Sequence, residues 1–393
     1  MKLALEKRDL ISLAVGFTDN ETLPLDEVVH LTRSVLSSPK FARAALQYGT
    51  TLGLPALRKE LQRWWQGQDR ITTYESRITD HDFLITTGSQ QLLYLVSEVL
   101  CDPGDIVLVE DPTYFVYLGI VEAMGIRTLG FDGLEALKQR LQTLQNKRQL
   151  ARLKMLYLVT YFQNPTGRTW TFEMKREALA IVRHYERAAG HPLYVLEDAA
   201  YRDLRFEGED VLSFKTLDPR NERVLYANTL TKPFATGFKI GYGILPPLVM
   251  RHVLRSKGNH DFGSANFLQA LLARALATGA YERHLPKIAA AYRAKRDAMI
   301  AQLAESFPAI ARYETPHGGL YVWVELNPRS RTGVRNRLFR CALDAGVLYV
   351  PGEMCFCIES SRPVPRNCMR LSFGAPPIRL IREGIRRLAR VLS

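Results

Sequence analysis

Lys232 follows an apolar run, Val224-Leu225-Tyr226-Ala227, and a polar turn, Asn228-Thr229-Leu230-Thr231. Pro233 and Gly237 punctuate the next residues, and a second strand-like run spans Lys239 to Ile244. A lysine just past a buried strand is held by a rigid element and partly removed from water. Desolvation disfavours its charged form, so its free amine can attack a carbonyl carbon and form a Schiff base. Thr229 and Thr231 flank it and are able to donate hydroxyl hydrogen bonds to a phosphate. A lysine that ends a strand and faces solvent has the same local sequence, so the rest of the chain must decide.

Further groups of this kind lie at the ends of apolar runs. Phe83–Thr86 reads as a strand, and Gly88-Ser89-Gln90 turns from it into a helix with Leu92, Leu93, Leu95 and Val96 on its apolar side. Free backbone N–H groups and the positive end of the helix dipole make such a turn a ready anion site. The strand Asp105–Glu110 leads to Tyr114, an aromatic ring able to stack on a flat π-system. Lys154–Thr160 is followed by the turn Asn164-Pro165-Thr166-Gly167. Leu193–Glu197 leads to Asp198 and Tyr201. A carboxylate at a buried strand end is costly unless it meets a positive partner. Near the C-terminus, Met369-Arg370-Leu371-Ser372-Phe373 carries a guanidinium able to grip a carboxylate bidentately.

The elements that must position these groups alternate strand, turn and helix from Phe83 onward, which predicts a doubly wound α/β sheet with functional groups at the carboxyl ends of its strands. Helices are also predicted at Leu57–Trp65, Phe172–Arg187, Ser264–Thr278 and Tyr281–Phe307. A smaller C-terminal unit has strand candidates at Ala309–Tyr313, Leu320–Leu326 and Cys368–Phe373, and helices at about Thr332–Ala345 and Pro377–Leu392. In the last helix, Ile378, Ile381, Ile385 and Leu388 recur at helical spacing between arginines, so its basic face is solvated.

Taken together and in this order, the motifs resemble those of class I/II, fold-type I aminotransferases that use pyridoxal phosphate, closest to the branch of 2-aminoadipate, kynurenine and aromatic aminotransferases. The resemblance covers roughly residues 10 to 390. It implies a large domain over residues 31–280 with a mostly parallel sheet of the seven-stranded type, a smaller α+β domain over 281–393, and an N-terminal arm over 1–30 joining the small domain. It implies that Lys232 holds pyridoxal phosphate as an internal aldimine and moves a proton during transfer of an α-amino group from an L-amino acid to a 2-oxo acid. It assigns Gly88, Ser89, Gln90, Thr229, Thr231 and Lys239 to the phosphate, Tyr114 to the ring face, Asn164 and Tyr201 to the phenolic oxygen, and Asp198 to the pyridine nitrogen. It places Arg370, Asn164 and Gly16 at the substrate, and sends Tyr48, in the loop Gln47-Tyr48-Gly49, to the phosphate of a neighbouring subunit in a homodimer. Two departures stand out. Threonines replace both serines of the family's lysine motif, and Lys239 stands where the family has an arginine.

Length and composition restrict the alternatives. The chain has 393 residues, 47% of them hydrophobic, enough for two domains with large cores. No run of about 18 apolar residues exists, so no membrane span is expected, and no signal-peptide core follows the charged N-terminus. Five scattered cysteines argue for a reducing compartment, the cytoplasm, and against both a disulfide framework and a zinc site; no metal is expected. The net charge of +13 is spread rather than concentrated, which argues against nucleic-acid binding. A lyase, decarboxylase or oxidase on the same fold stays open, because reaction choice depends on which bond at the α-carbon stands perpendicular to the cofactor ring. A transcription regulator with this fold would need a DNA-binding domain before Gly88, for which the sequence leaves no room beside the arm.

Overall fold

The computed structural model describes residues 10–71, 76–307, 309 and 311–392. Its strands are β1 (Ile11–Ser12), β2 (Phe83–Thr87), β3 (Ile106–Glu110), β4 (Arg127–Phe131), β5 (Leu153–Val159), β6 (Tyr194–Asp198), β7 (Val224–Thr229), β8 (Ile240–Ile244), β9 (Arg312–Tyr313), β10 (Tyr321–Glu325), β11 (Val347–Leu348), β12 (Val350–Pro351) and β13 (Cys368–Ser372). Seven of them form the main sheet in the order β2-β8-β7-β6-β5-β3-β4. From β7 to β4 every neighbouring pair is parallel. β8 runs antiparallel to both β7 and β2. This is the mostly parallel, doubly wound sheet that the alternation of elements predicts.

Parallel strands are covered on both faces, so they are apolar throughout rather than alternating. Successive side chains still point to opposite faces. Ile106 and Leu108 of β3 pack with Leu156, Leu158, Leu137 and Leu179 on one face. Val107 and Val109 pack with Tyr157, Leu92, Val96 and Tyr117 on the other. Helices must therefore lie on both sides. Gly88–Leu100 and Phe115–Ala123 cover one, Gly133–Asn146 and Phe172–Ala189 the other. The last of these starts where the Thr171 side chain accepts from Met174 N at 3.2 Å and stops at Gly190, whose φ of +78° ends it in the left-handed conformation. Each fully buried Leu, Val or Ile contributes on the order of 2 kcal/mol.

Register carries the fold to the site. Val159 lies opposite Asp198, and Asp198 opposite Ala227, so β5, β6 and β7 end at one level. In a sheet of this kind ligands bind outside those carboxyl ends.

A four-stranded antiparallel sheet, β12-β13-β10-β9, follows in the C-terminal part. The helix Ala280–Ser306, 27 residues long, leads into it. The helix Ile378–Leu392 buries Ile381, Ile385 and Leu388, while Arg379, Arg382, Arg386 and Arg390 are exposed, as its spacing predicts. The described part of the arm joins this region: β1 pairs in parallel with β11, and Ser372 N donates to Leu13 O at 2.7 Å. Asp19 then pairs with Lys295 at 2.7 Å. Residues 1–9 of the expected arm lie outside the described residues.

Some boundaries differ from expectation. The helix predicted from Thr332 begins at Arg337, because Thr332 N is tied to Arg366 O at 2.9 Å and its hydroxyl to Cys368 O. The strand expected at Ala309–Tyr313 is Arg312–Tyr313, with residue 310 outside the described set. β8 starts at Ile240 rather than Lys239, whose φ of +53° is incompatible with a strand. β4 and the helices Pro39–Leu46, Gly133–Asn146 and Pro247–His260 were not legible from periodicity.

Candidate active site

Residues far apart in the chain line one cavity. Gly88, Ser89 and Gln90 come from the helix start after β2, Tyr114 from beyond β3, and Asn164, Asp198 and Tyr201 from beyond β5 and at or beyond the end of β6. Thr229, Thr231, Lys232 and Lys239 come from the end of β7 and its connection to β8. Gly16, Arg370 and Tyr48 do not line it, but the first two touch residues that do.

The anion end is built by close backbone approach. A Cβ on Gly241 of β8 would stand 2.4 Å from Ser89 N and 2.5 Å from Gly88 C, so only glycine lets the helix start sit against β8. Gly88 itself has a φ of +71°, which suits glycine. The two threonines differ from expectation. Thr229 Oγ1 and Thr231 Oγ1 both donate to Ile240 O, at 3.1 and 3.3 Å, so their protons serve the β7–β8 connection. Lys239 is exposed at the rim. Tyr48 is 84% exposed and touches Phe262 edge-on, with ring centroids 6.0 Å apart.

Opposite charges sit at the other end. Asp198 is buried, takes hydrogen bonds from Ala200 N at 3.1 Å and Tyr157 Oη at 3.0 Å, and is in no ion pair among the described residues. Burial outweighs these donors and pushes its carboxyl up to about 6. A cation against Asp198 would reverse that cost. Burial pulls the Lys232 ammonium below the ordinary lysine value; Tyr321 opposes this, while Arg370 and Lys239 add to it. The amine donates to Gly16 O, which brings the arm against the site.

Arg370, on β13, reaches the same region from the second sheet. Its Nη1 donates to Asn164 Oδ1 at 2.7 Å and its Nη2 to Ala14 O. Its Nε is buried without a hydrogen-bond partner among the described residues. The guanidinium lies 4.1 Å from the centroid of the Tyr321 ring. Asn164 Nδ2 in turn donates to Tyr201 Oη at 3.4 Å.

Two residues of this arrangement were missed from sequence. Tyr157 looks like one more core residue of β5, and nothing in its neighbours signals the bond to Asp198. Tyr321 opens β10 directly after Gly318-Gly319-Leu320, whose two glycines make room for Phe162 and give no sign of where the Tyr321 hydroxyl goes. A larger cavity, about 500 Å³, lies beyond the Asn164–Gly167 turn, lined by Glu110, Gln163, Arg168, Trp170 and Glu314 among others. Its groups satisfy one another: Arg168 pairs with Glu314 at 2.8 Å, and Glu110 accepts from Trp170 Nε1 at 2.8 Å and Gln163 Nε2 at 2.6 Å. The smaller cavity is the one that holds the Lys232 amine.

A buried carboxylate awaiting a cation, an amine of lowered basicity and a helix start facing the same space fit the pyridine nitrogen, aldehyde and phosphate of pyridoxal phosphate. Residues 8–388 match the family described as aminotransferase class I and II. The chain is 35% identical to aromatic-amino-acid aminotransferase 1 of Thermococcus litoralis, over 99% of this chain and 89% of that protein. The crystal structure of kynurenine aminotransferase from Pyrococcus horikoshii, in complex with PMP, superposes with a TM-score of 0.88 at 32% identity, covering 100% of this chain and 92% of that one. That of the α-aminoadipate aminotransferase LysN from Thermus thermophilus, complexed with N-(5'-phosphopyridoxyl)-L-leucine, gives a TM-score of 0.84 at 30% identity, covering 100% and 93%. The chain therefore belongs to the class I and II aminotransferases and is an enzyme of that kind, dependent on pyridoxal phosphate.

Proposed function

We propose that Lys232 carries the cofactor of this aminotransferase, with Asp198 at the pyridine nitrogen, Asn164 and Tyr201 at the phenolic oxygen, Tyr114 on the ring face and the helix start Gly88-Ser89-Gln90 at the phosphate. Thr229 and Thr231 shape the phosphate end through the β7–β8 connection, and Lys239 adds charge at its rim. The observation that carries this reading is the convergence of Lys232, Asp198, Asn164, Tyr201 and the helix start on one cavity.

When bound, the cofactor supplies an electron sink that weakens the bonds at the substrate's α-carbon. Asp198 keeps the pyridine nitrogen protonated, which deepens that sink. Arg370 grips the α-carboxylate through a planar fork; among the described residues its buried Nε has no hydrogen-bond partner. The grip fixes the α C–H bond relative to the ring. Lys232 Nζ, made less basic by burial, would take the α-proton as a general base and return it, as a general acid, at the cofactor's C4′, two bonds along. Gly16 belongs to the arm that walls the substrate side.

The working unit we infer is a homodimer, in which the partner subunit's Tyr48 completes the phosphate site. Leu25, Val29, Phe41, Leu46, Tyr48 and Phe262 are all exposed large apolar side chains, an extensive set for a monomer surface. The division into an arm (1–30), a large domain (31–280) and a small domain (281–393) is supported by the separate seven- and four-stranded sheets and the long helix between them. A cytoplasmic setting agrees with five free cysteines. No helix among the described residues is long and apolar enough to cross a membrane.

Borohydride treatment of the yellow, cofactor-loaded protein, followed by peptide mapping, tests the assignment. The pyridoxyl group is expected on the peptide containing Lys232, and label on another lysine overturns it.

A further inference from the structure

Tyr321 opens β10 and is 2% exposed. Its ring lies under the Arg370 guanidinium, and its hydroxyl is 3.1 Å from that of Tyr201. It also fills the space beside Gly16: a Cβ there would stand 2.1 Å from Tyr321 Oη and 3.7 Å from Lys232 Nζ. The hydroxyl therefore reaches the middle of the site, although nothing in the family motif calls for it.

Hydrogen-bond direction can be followed from one end. Arg370 has only donors, so the atom of Asn164 that faces it is the acceptor Oδ1. That orients Nδ2 as the donor to Tyr201 Oη. Among the described residues, the Tyr321 hydroxyl has Tyr201 as its one hydrogen-bond partner. The contact allows either hydroxyl to be the donor. With Tyr321 as the donor, Tyr201 Oη accepts from both Asn164 and Tyr321, and its own proton is left to point into the cavity.

We propose that Tyr321 is a positioning residue whose hydroxyl holds Tyr201 as a hydrogen-bond donor towards the cofactor's phenolic oxygen. The inference rests on the reading of Tyr201 given above. The titratable and charged groups around the pair are Tyr114, Asp198, Lys232 and Arg370, and none of them changes in a Tyr321→Phe variant. That variant keeps the ring under Arg370 and the wall beside Gly16, and removes one oxygen.

A donor at the phenolic oxygen favours its anion most when the neighbouring nitrogen carries no proton. Weakening that donor raises the pH at which the visible band of the Lys232-bound cofactor titrates. The test is this absorbance titration in wild type, Y321F, Y201F and the double variant. Y321F is expected to raise the midpoint by about 0.5 to 1 pH unit, the size of one ordinary hydrogen bond. Y201F is expected to raise it further, and the double variant to match Y201F, because Tyr321 acts only through Tyr201. An unchanged midpoint in Y321F, or additive shifts in the double variant, overturns the inference while leaving the cofactor site standing. A wild-type protein whose cofactor gives no Schiff-base band removes the reading of Lys232, and this inference with it.

Discussion

Arg370 Nη1 donates to Asn164 Oδ1 across 2.7 Å, which joins a strand of the second sheet to the turn at the end of β5. On the reading proposed above one residue has two tasks: its guanidinium takes the substrate carboxylate, and it sets the direction of the Asn164 amide. Lysine supplies the charge but not the fork. Arg370→Lys should lower kcat/KM for amino acids by about 100-fold, the loss of one good charge-assisted pair. It should also weaken cofactor retention slightly through Asn164. Steady-state kinetics with an amino acid and with the matching amine, which lacks the carboxylate, separate the tasks. An equal loss for both substrates would show that the carboxylate is held elsewhere.

Asp198 should make the cofactor-free protein less stable as pH rises. Its carboxyl titrates at about 6 in the folded chain against 3.8 as an ordinary aspartate. Between those values the native state holds the proton and the unfolded state has released it, so stability falls with rising pH until both are ionised. The full effect is about 3 kcal/mol. Thermal melts of the cofactor-free protein between pH 4 and 7 should show this decline, and Asp198→Asn should flatten it. The same variant should retain its fold and lose turnover by several orders of magnitude, since an amide cannot keep the pyridine nitrogen protonated. A melt profile identical in wild type and variant would contradict the buried, unpaired carboxylate.

Gly241→Ala should damage the anion end specifically. The added methyl would stand 2.4 Å from Ser89 N and 2.5 Å from Gly88 C, and neither backbone atom can turn aside as a side-chain tip would. Either the helix start or β8 must shift, at a cost of about 1–3 kcal/mol. Equilibrium titration with pyridoxal phosphate should show weaker binding than wild type. Gly237→Ala is the control, since nothing lies within 4 Å of a Cβ there. Equal affinity in both variants would remove the helix start from the phosphate site.

Much of this site is legible in the sequence because each group follows a continuous apolar run. Parallel strands buried on both faces produce such runs, and the sheet sets their carboxyl ends level, so Tyr114, Asn164, Asp198 and Lys232 converge without any long-range information. What is not legible depends on contacts between distant segments. The arm carbonyls of Ala14 and Gly16 meet Arg370 and Lys232 only because β1 docks on β11, a two-residue pairing with no periodic signature. Tyr157 and Tyr321 look like core aromatics until their hydroxyls are located. The directions of Thr229 and Thr231 are hidden for the same reason: the carbonyl they choose, Ile240, belongs to the returning strand.

Lys239 is the remaining departure from the family motif, and its placement sharpens what it can do. It is exposed, lies at the rim of the cavity, and adopts a left-handed backbone at the start of β8. An exposed ammonium on a flexible stem is screened and contributes about 1 kcal/mol or less. On the reading proposed above, fixed contacts to the phosphate come from the helix start and, in a homodimer, from the partner subunit. Lys239→Ala should speed the loss of pyridoxal phosphate on dialysis by only a few-fold, whereas Lys239→Arg should retain it at least as well as wild type through its planar fork. Raising the salt concentration should narrow the gap between wild type and Lys239→Ala, since a rim charge acts through screened attraction. Residual cofactor after dialysis, measured by absorbance at two salt concentrations, checks both points. Equal retention in wild type and Lys239→Ala at low salt would remove Lys239 from the phosphate site and leave the helix start to hold the anion alone within each subunit.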